Sequence, residues 1–419
     1  MRHSVALGVG SWKLGIDRER TMFQVRDTPT DPSCPDVLIV GAGPAGSVAA
    51  LVLARAGARV RLVDRSRFPR EKLCGDTLNP GSLAMLDRLG ISSEIRARAL
   101  AVTGMIVTGP GGARVVGTYD GGLRGAAITR RDLDVLLLEH ATKAGAVFDA
   151  GVVVRAPLIA ADARRLVGVR VAGTSDEHDL RARIVIAADG RHSRLAFNLG
   201  LARYASTPRR WAFGAYFSGV EGLTTCGEMH VRADGYVGVA PVPGGLANVC
   251  VVRELGTAFR AQRIEADTLV HAAVAQDPVL RDRFARAQSV GPVTVLGPLA
   301  VESLAAGQPG LLLAGDAAGF VDPMTGDGLR FAIRGAELAA EAALQELETG
   351  RPMHRALAAR RAGEFAGKWR MNRMLRALVA SPRAVNLAAA VAARWDAPVR
   401  TLIAKAGDVD VARRAARVS

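Results

Sequence analysis

The stretch Asp36–Asp64, DVLIVGAGPAGSVAALVLARAGARVRLVD, restricts the folds open to this chain more than any other. Asp36–Val40 is a short apolar run of the kind that forms a buried parallel strand. Gly41, Gly43 and Gly46 follow with the spacing G-x-G-x-x-G. A helical stretch then runs to about Ala56, Gly57 closes it, and a second strand, Arg59–Val63, ends on Asp64. This is the order of a βαβ unit that seats a dinucleotide pyrophosphate at a helix N-terminus. Gly41 permits the tight turn, Gly43 lets phosphate approach the backbone, and Gly46 lets helix and strand close on each other. The helix offers unpaired N–H groups and the positive end of its dipole. Asp64 is placed to accept hydrogen bonds from an adenosine ribose, and an acid there favours an unphosphorylated ribose, as in NAD or FAD.

Three later segments narrow the cofactor to FAD. Ala188-Asp189-Gly190 directly follows a predicted strand. Gly315-Asp316 follows the apolar run LLLA. Asp322-Pro-Met-Thr-Gly-Asp-Gly-Leu329 opens a long amphipathic helix running to about Glu348. In this order, and with the first fingerprint, they resemble the superfamily of aromatic-ring hydroxylases (para-hydroxybenzoate hydroxylase-like) and geranylgeranyl reductases over nearly everything from Asp36 to Glu348. The resemblance implies that Gly41, Gly43 and Gly46 hold the FAD pyrophosphate and Asp64 the ribose. It implies that Arg130 reaches the phosphates or ribityl chain, that Asp316 binds a ribityl hydroxyl, and that Asp189 lies near the flavin and the nicotinamide route. Pro323, Gly326 and Gly328 would bring backbone against the isoalloxazine edge, with the following helix aiming its positive end there. Read from the residues alone, Asp189-Gly190 is also an ordinary turn and Arg130 also a surface helix-start residue. An acid ending a buried strand, as Asp316 does, demands a polar partner.

Phe68-Pro-Arg-Glu-Lys-Leu-Cys74-Gly75-Asp76 is similar to the F-P-R-x-K-x-C-G-[GD] loop of the geranylgeranyl reductase branch, and Tyr236-Val-Gly-Val-Ala-Pro-Val to its Y-x-W-x-F-P strand. Gly238 and Ala240 stand where that pattern has large aromatics, which implies a wider or different substrate channel. The W-x-W-x-I-P motif of flavin-dependent halogenases is missing. Cys74 and Tyr236 are the candidates for residues beside the reacting atoms, although Cys74 also reads as a small buried residue. Glu228 and His230 share one strand face and are readable as a proton-donor pair or as polar residues on a sheet.

The expected fold is α/β, a Rossmann-type FAD-binding domain with an inserted antiparallel substrate sheet and a helical C-terminus. The expected divisions are an N-terminal extension at 1–35, cofactor-binding parts at 36–100, 126–198 and 291–348, a substrate-domain hairpin at 101–125, the substrate domain at 199–290, and a basic helical region at 349–419. Ile264–Ala287 reads as helical. Met22 is an alternative start, since organised sequence begins near Asp36. No second complete fingerprint is present, so NAD(P)H is expected to bind transiently as donor, or a ferredoxin-like partner to take its place.

Composition bears on partners and compartment. Of the +15 net charge, an excess of eleven lies from Arg351 onward, where 15 Lys and Arg face 4 Asp and Glu. Aromatics are too sparse there for base stacking, which argues against nucleic acid. A solvated face, a cap on the substrate domain and a peripheral membrane contact remain open. Cys34, Cys74, Cys226 and Cys250 lack metal-ligand spacing, and no secretory signal is evident, so a cytoplasmic setting without metal is expected. The functional expectation is an FAD-dependent oxidoreductase that reduces a double bond in a lipophilic, isoprenoid- or polyketide-like substrate. A flavin monooxygenase is the alternative, and a flavin-bound, membrane-associated protein without turnover a third.

Overall fold

The computed structural model describes residues 34–119, 121–161, 165–172, 177–205, 210–255, 263–320 and 323–416, so all but the last two residues of the extension expected at 1–35 lie outside the described residues. A six-stranded sheet forms the base. Its order is Gly307–Gln308, Leu311–Leu313, Ile184–Ala187, Val37–Val40, Val60–Asp64 and Val147–Ala150, parallel except at the first strand. Alternation along these strands divides the core in two. Val37, Ile39, Leu62 and Ile186 pack on helices Pro44–Arg55, Arg130–Lys143 and Gly328–Thr349. Leu38, Val40, Val63 and Val185 face an antiparallel meander, Val153–Ile159, Leu166–Ala172 and Glu177–Arg181. Burial on both faces explains why the central strands carry unbroken apolar runs.

A seven-stranded sheet stands beside this base. Its order is Gln288–Leu296, Arg210–Ser218, Leu246–Glu254, Gly235–Val242, Cys226–Arg232, Gly104–Thr108 and Arg114–Thr118. The early hairpin joins it through one parallel pairing, with Met105 opposite Gly227. Two expectations move. The helix expected to reach Ala287 ends at Gln276. Gln288–Leu296, which straddles the boundary expected at residue 290, is an edge strand of this second sheet. Its first five residues are exposed, so it lacks the apolar alternation that marks a half-buried strand.

Four helices, His354–Val379, Pro382–Arg394, Ala397–Ala406 and Val409–Ala416, complete the described chain. They fold back as a roof over the hairpin end of the second sheet. A Cβ on Gly117 of the hairpin would lie 2.6 Å from Ile403 Cδ1, so that contact is made by backbone against side chain. Among the described residues no single helix is long and apolar enough to cross a membrane. The first two roof helices together reach that length only across a 105° bend.

Candidate active site

The fingerprint glycines are required where they stand. Gly41 has φ +99°, and a Cβ there would lie 2.5 Å from the Ala188 carbonyl oxygen. A Cβ on Gly46 would lie 1.7 Å from the Gly41 oxygen, so any side chain would force helix and strand apart. Gly43 differs. It caps the helix in an extended conformation, and its missing side chain leaves room beside Arg70 Nη2, 3.1 Å from an added Cβ. Asp64 is buried and accepts from the N–H of Ala42 and of Ser66, both at 2.8 Å. These bonds fix the loop and leave carboxylate lone pairs toward the cavity it lines.

That cavity, of about 770 Å³, is continuous from this cradle to the roof helices. Gly41, Gly43, Asp64, Arg130, Asp189 and Asp316 line its base end. Arg130 opens its helix and is buried, with Nε and Nη2 donating to Asp134 at 2.7 and 2.9 Å. Arg70 donates to the same carboxylate at 3.2 Å. One acid thus aligns two guanidinium groups beside the cradle. The strand ends at Leu313, and Asp316 lies in the 3-10 turn Gly315–Ala318 just beyond it rather than on the strand; burial raises its carboxyl pKa against the opposing pull of Lys72 and Arg130. Burial lowers the Lys72 amine in turn, with Arg130 pushing the same way. Asp189 Oδ2 accepts from the N–H of Arg194 at 3.0 Å, and its buried Oδ1 has no hydrogen-bond partner.

Gly326, at φ +67°, and Gly328 line the middle of the cavity where the long helix begins. Pro323 starts the short turn before them; its side chain, with Val321 and Asp322, lies outside the described residues. Asp327 points away, accepting from Lys368 Nζ at 2.8 Å. The same ammonium donates to the carbonyls of Lys405 and Ala406 at 2.7 and 3.0 Å, which clips the roof to this turn.

Beyond the turn the cavity is a largely apolar chamber floored by one face of the second sheet. Strand pairing sets Gly227, Met229, Tyr236, Gly238, Ala240 and Cys250 on that face. A Cβ on Gly238 would meet nothing nearer than backbone oxygens at 3.8 Å, so the space above it is open, as the small residues at 238 and 240 imply. Tyr236 is 2% exposed and packs with Val379 of the roof. Cys74 lines the cavity at the junction, and burial raises its thiol pKa, which keeps it neutral. Beside it Asp76 is fully buried at φ +50°. Its Oδ2 accepts from Tyr216 Oη at 2.5 Å and Asn248 Nδ2 at 2.6 Å, and its Oδ1 from the Arg130 N–H at 3.2 Å. Burial pushes its carboxyl up to about 6 despite these bonds. Asp76 thereby ties the cofactor-side helix to two strands of the chamber.

Sequence reasoning missed Arg70, Lys72 and Asn248 as cavity residues. The first two were visible as the basic positions of the F-P-R-x-K loop, whereas nothing local marks Asn248. Glu228 and His230 do share a face, but the opposite one. His230 is fully buried, bonded to Glu228 Oε2 at 3.0 Å and Thr108 Oγ1 at 2.9 Å, and Arg283 grips Glu228 at 2.7 and 2.8 Å. Burial alone would raise the Glu228 carboxyl, yet Arg283 and His230 bring it down to about 2. The cluster braces the back of the sheet, with its side chains turned away from the cavity.

The residues present fit a bound FAD. The glycine turn closes without side chains, Arg70 and Arg130 supply cations beside Gly43, where phosphates belong, and the orphaned Asp189 oxygen is open to a donor. The chain is 32% identical over 326 residues to digeranylgeranylglycerophospholipid reductase 2 of Methanopyrus kandleri, covering 75% of this chain and 78% of that protein. It is 31% identical over 324 residues to the menaquinone reductase of Mycobacterium tuberculosis, covering 73% and 76%. The solved structure of CmlS, a flavin-dependent halogenase, shares the fold at TM-score 0.72 and 24% identity, covering 82% of this chain and 64% of that one. The family model described as an FAD binding domain matches residues 35–359, and the chain belongs to that family of FAD-dependent oxidoreductases.

Proposed function

We propose that this protein uses reduced FAD to saturate a carbon–carbon double bond in a lipophilic substrate of isoprenoid or quinone character. The observation that carries this reading is the continuity of one cavity from the phosphate cradle into an apolar chamber. The names of the two reductase relatives support the substrate class. When bound, FAD supplies two-electron transfer through its ring. The chain's own residues do the rest. Gly41, Gly43 and Gly46 with Arg70 and Arg130 would hold the pyrophosphate, Asp64 and Asp316 would take sugar hydroxyls, and Gly326 and Gly328 would leave room for the ring at the head of the long helix. The chamber excludes water and aligns the substrate over Gly238 and Ala240, with Tyr236 and the neutral Cys74 thiol nearest the junction. NAD(P)H is the proposed donor, reaching the site transiently past Asp189, and the proposed setting is the cytoplasm.

The test is anaerobic turnover of the purified protein with NADPH and an isoprenoid quinone, read by mass spectrometry. A product that gains two hydrogens without oxygen, and keeps them after the quinone ring is reoxidised, is expected. A product that forms only in air and gains one oxygen atom would overturn the reductase reading in favour of a monooxygenase. Gly43→Asp places a carboxylate in the cradle, and this variant should purify without stoichiometric flavin absorbance.

A further inference from the structure

Helix Pro382–Arg394 is apolar on both sides. Its inner side presents Val385, Ala388, Ala389 and Ala392 to the cavity. Its outer side carries Leu387 and Val391, one turn apart and 68% and 47% exposed, and Trp395 just beyond the helix is 64% exposed. Met374, on the preceding helix, is 58% exposed. A helix that is hydrophobic all round is normally buried all round. This one is left with an open apolar ridge.

The ridge has a basic border. Arg370, Arg373, Arg383 and Arg394 are exposed, and no Asp or Glu occurs from Met371 to Trp395. The next acid, Asp396, is already paired with Arg400 at 2.8 Å. Arginine stems lie along apolar surface while their heads reach anionic groups, and a tryptophan suits the boundary between headgroup and acyl chain. A second copy of the chain set face to face would bring these arginines against each other, with no acid on the ridge to relieve them.

We infer that this face seats in the headgroup region of an anionic bilayer and that the substrate enters the chamber through this wall, which is one helix thick. The inference rests on the lipophilic substrate proposed above. It explains why the wall is built of alanine and valine: a roughly 10 Å helix diameter then separates membrane from chamber, with no polar barrier between them.

The experiment is co-sedimentation of the full-length, flavin-loaded protein with vesicles of phosphatidylcholine alone and of equal parts phosphatidylcholine and phosphatidylglycerol. Binding to the mixed vesicles, weakening as salt rises, is expected. The triple variant Leu387→Ser, Val391→Ser, Trp395→Ser should bind at least about tenfold more weakly, and each of Arg383→Gln and Arg394→Gln about fivefold more weakly. None of these side chains lines the cavity, so flavin content and thermal midpoint should stay at wild-type values, which separates lost docking from misfolding. Equal binding of wild type and triple variant would overturn the inference. So would a wild-type dimer in solution that the triple variant splits, since the face would then be a self-interface. Vesicle binding is read without donor or substrate, so a protein that docks but reduces nothing would sink the reductase reading, and substrate entry with it, and leave the membrane docking standing.

Discussion

The two faces of the seven-stranded sheet are made from alternate residues of the same strands, yet they follow opposite rules. The back face is packed solid. Phe213, Phe217, Val249 and Val251 close on helix Arg263–Gln276, and the polar groups there are paired with one another, Glu228 with His230 and Arg283, and Arg232 with Asp277. The front face keeps small residues at 227, 238 and 240 and leaves a chamber above them. Its polar anchor, Asp76 with Tyr216 and Asn248, sits at the cofactor end rather than over the floor. One face holds the sheet together so that the other can stay unfilled.

Substitutions that respect the strands but exchange the rules should separate the faces. Phe213→Ala, at a fully buried position, is expected to cost about 4 kcal/mol in denaturant unfolding. Glu228→Ala leaves His230 and Arg283 without their counter-charge and is expected to cost about 3 kcal/mol, the lower end for a buried pair because 19% of the Arg283 side chain stays exposed. Neither should change the flavin content of the folded fraction, and loss of flavin with either would break the contrast.

The polar anchor of the front face gives a pH signature. The folded-state pKa of Asp76, about 6, lies above its ordinary 3.8, so the folded protein holds a proton that the unfolded chain releases. Its contribution is fully present below pH 3.8 and is lost as pH rises through about 6. The stability difference between wild type and Asp76→Asn should therefore shrink by on the order of 2–3 kcal/mol from acidic to neutral pH. A difference that does not vary with pH would show that Asp76 carries no such proton.

The smallest stability effects belong on the chamber floor. Gly238→Ala should change stability by no more than about 0.5 kcal/mol, since the added methyl meets only ordinary contacts. Gly238→Trp should fill the chamber, leave flavin binding intact and lower kcat/KM for a bulky substrate at least about tenfold. Unchanged turnover with Gly238→Trp would show that substrate does not lie over this floor.

The same contrast explains what the sequence could reveal. Gly41, Gly46 and Asp64 were legible because each answers a local demand, a turn, a close approach and a loop bond, within one short βαβ unit. The pairing of Glu228 with His230 on one face follows from strand parity, but parity does not say which face meets the helix and which the cavity. The chamber is assembled from side chains hundreds of residues apart, such as Met105, Tyr236 and Val385, and no local pattern records their meeting. The edge strand Gln288–Leu296 was hidden for the same reason in reverse, because solvent removed the alternation that would have marked it.

The Lys368 clip, finally, sets the unit in which this protein can be remodelled. One ammonium holds Asp327 at the start of the long helix and two carbonyls, of Lys405 and Ala406, at the end of the third roof helix. Exchanging the roof with that of a relative to alter substrate range would leave Lys368 facing foreign carbonyls and Asp327 without a firm counter-charge. A chimera cut after Val379 should therefore shift the flavin spectrum as well as the substrate profile, whereas one that carries Asp327 through Ala406 as a single block should shift the profile alone.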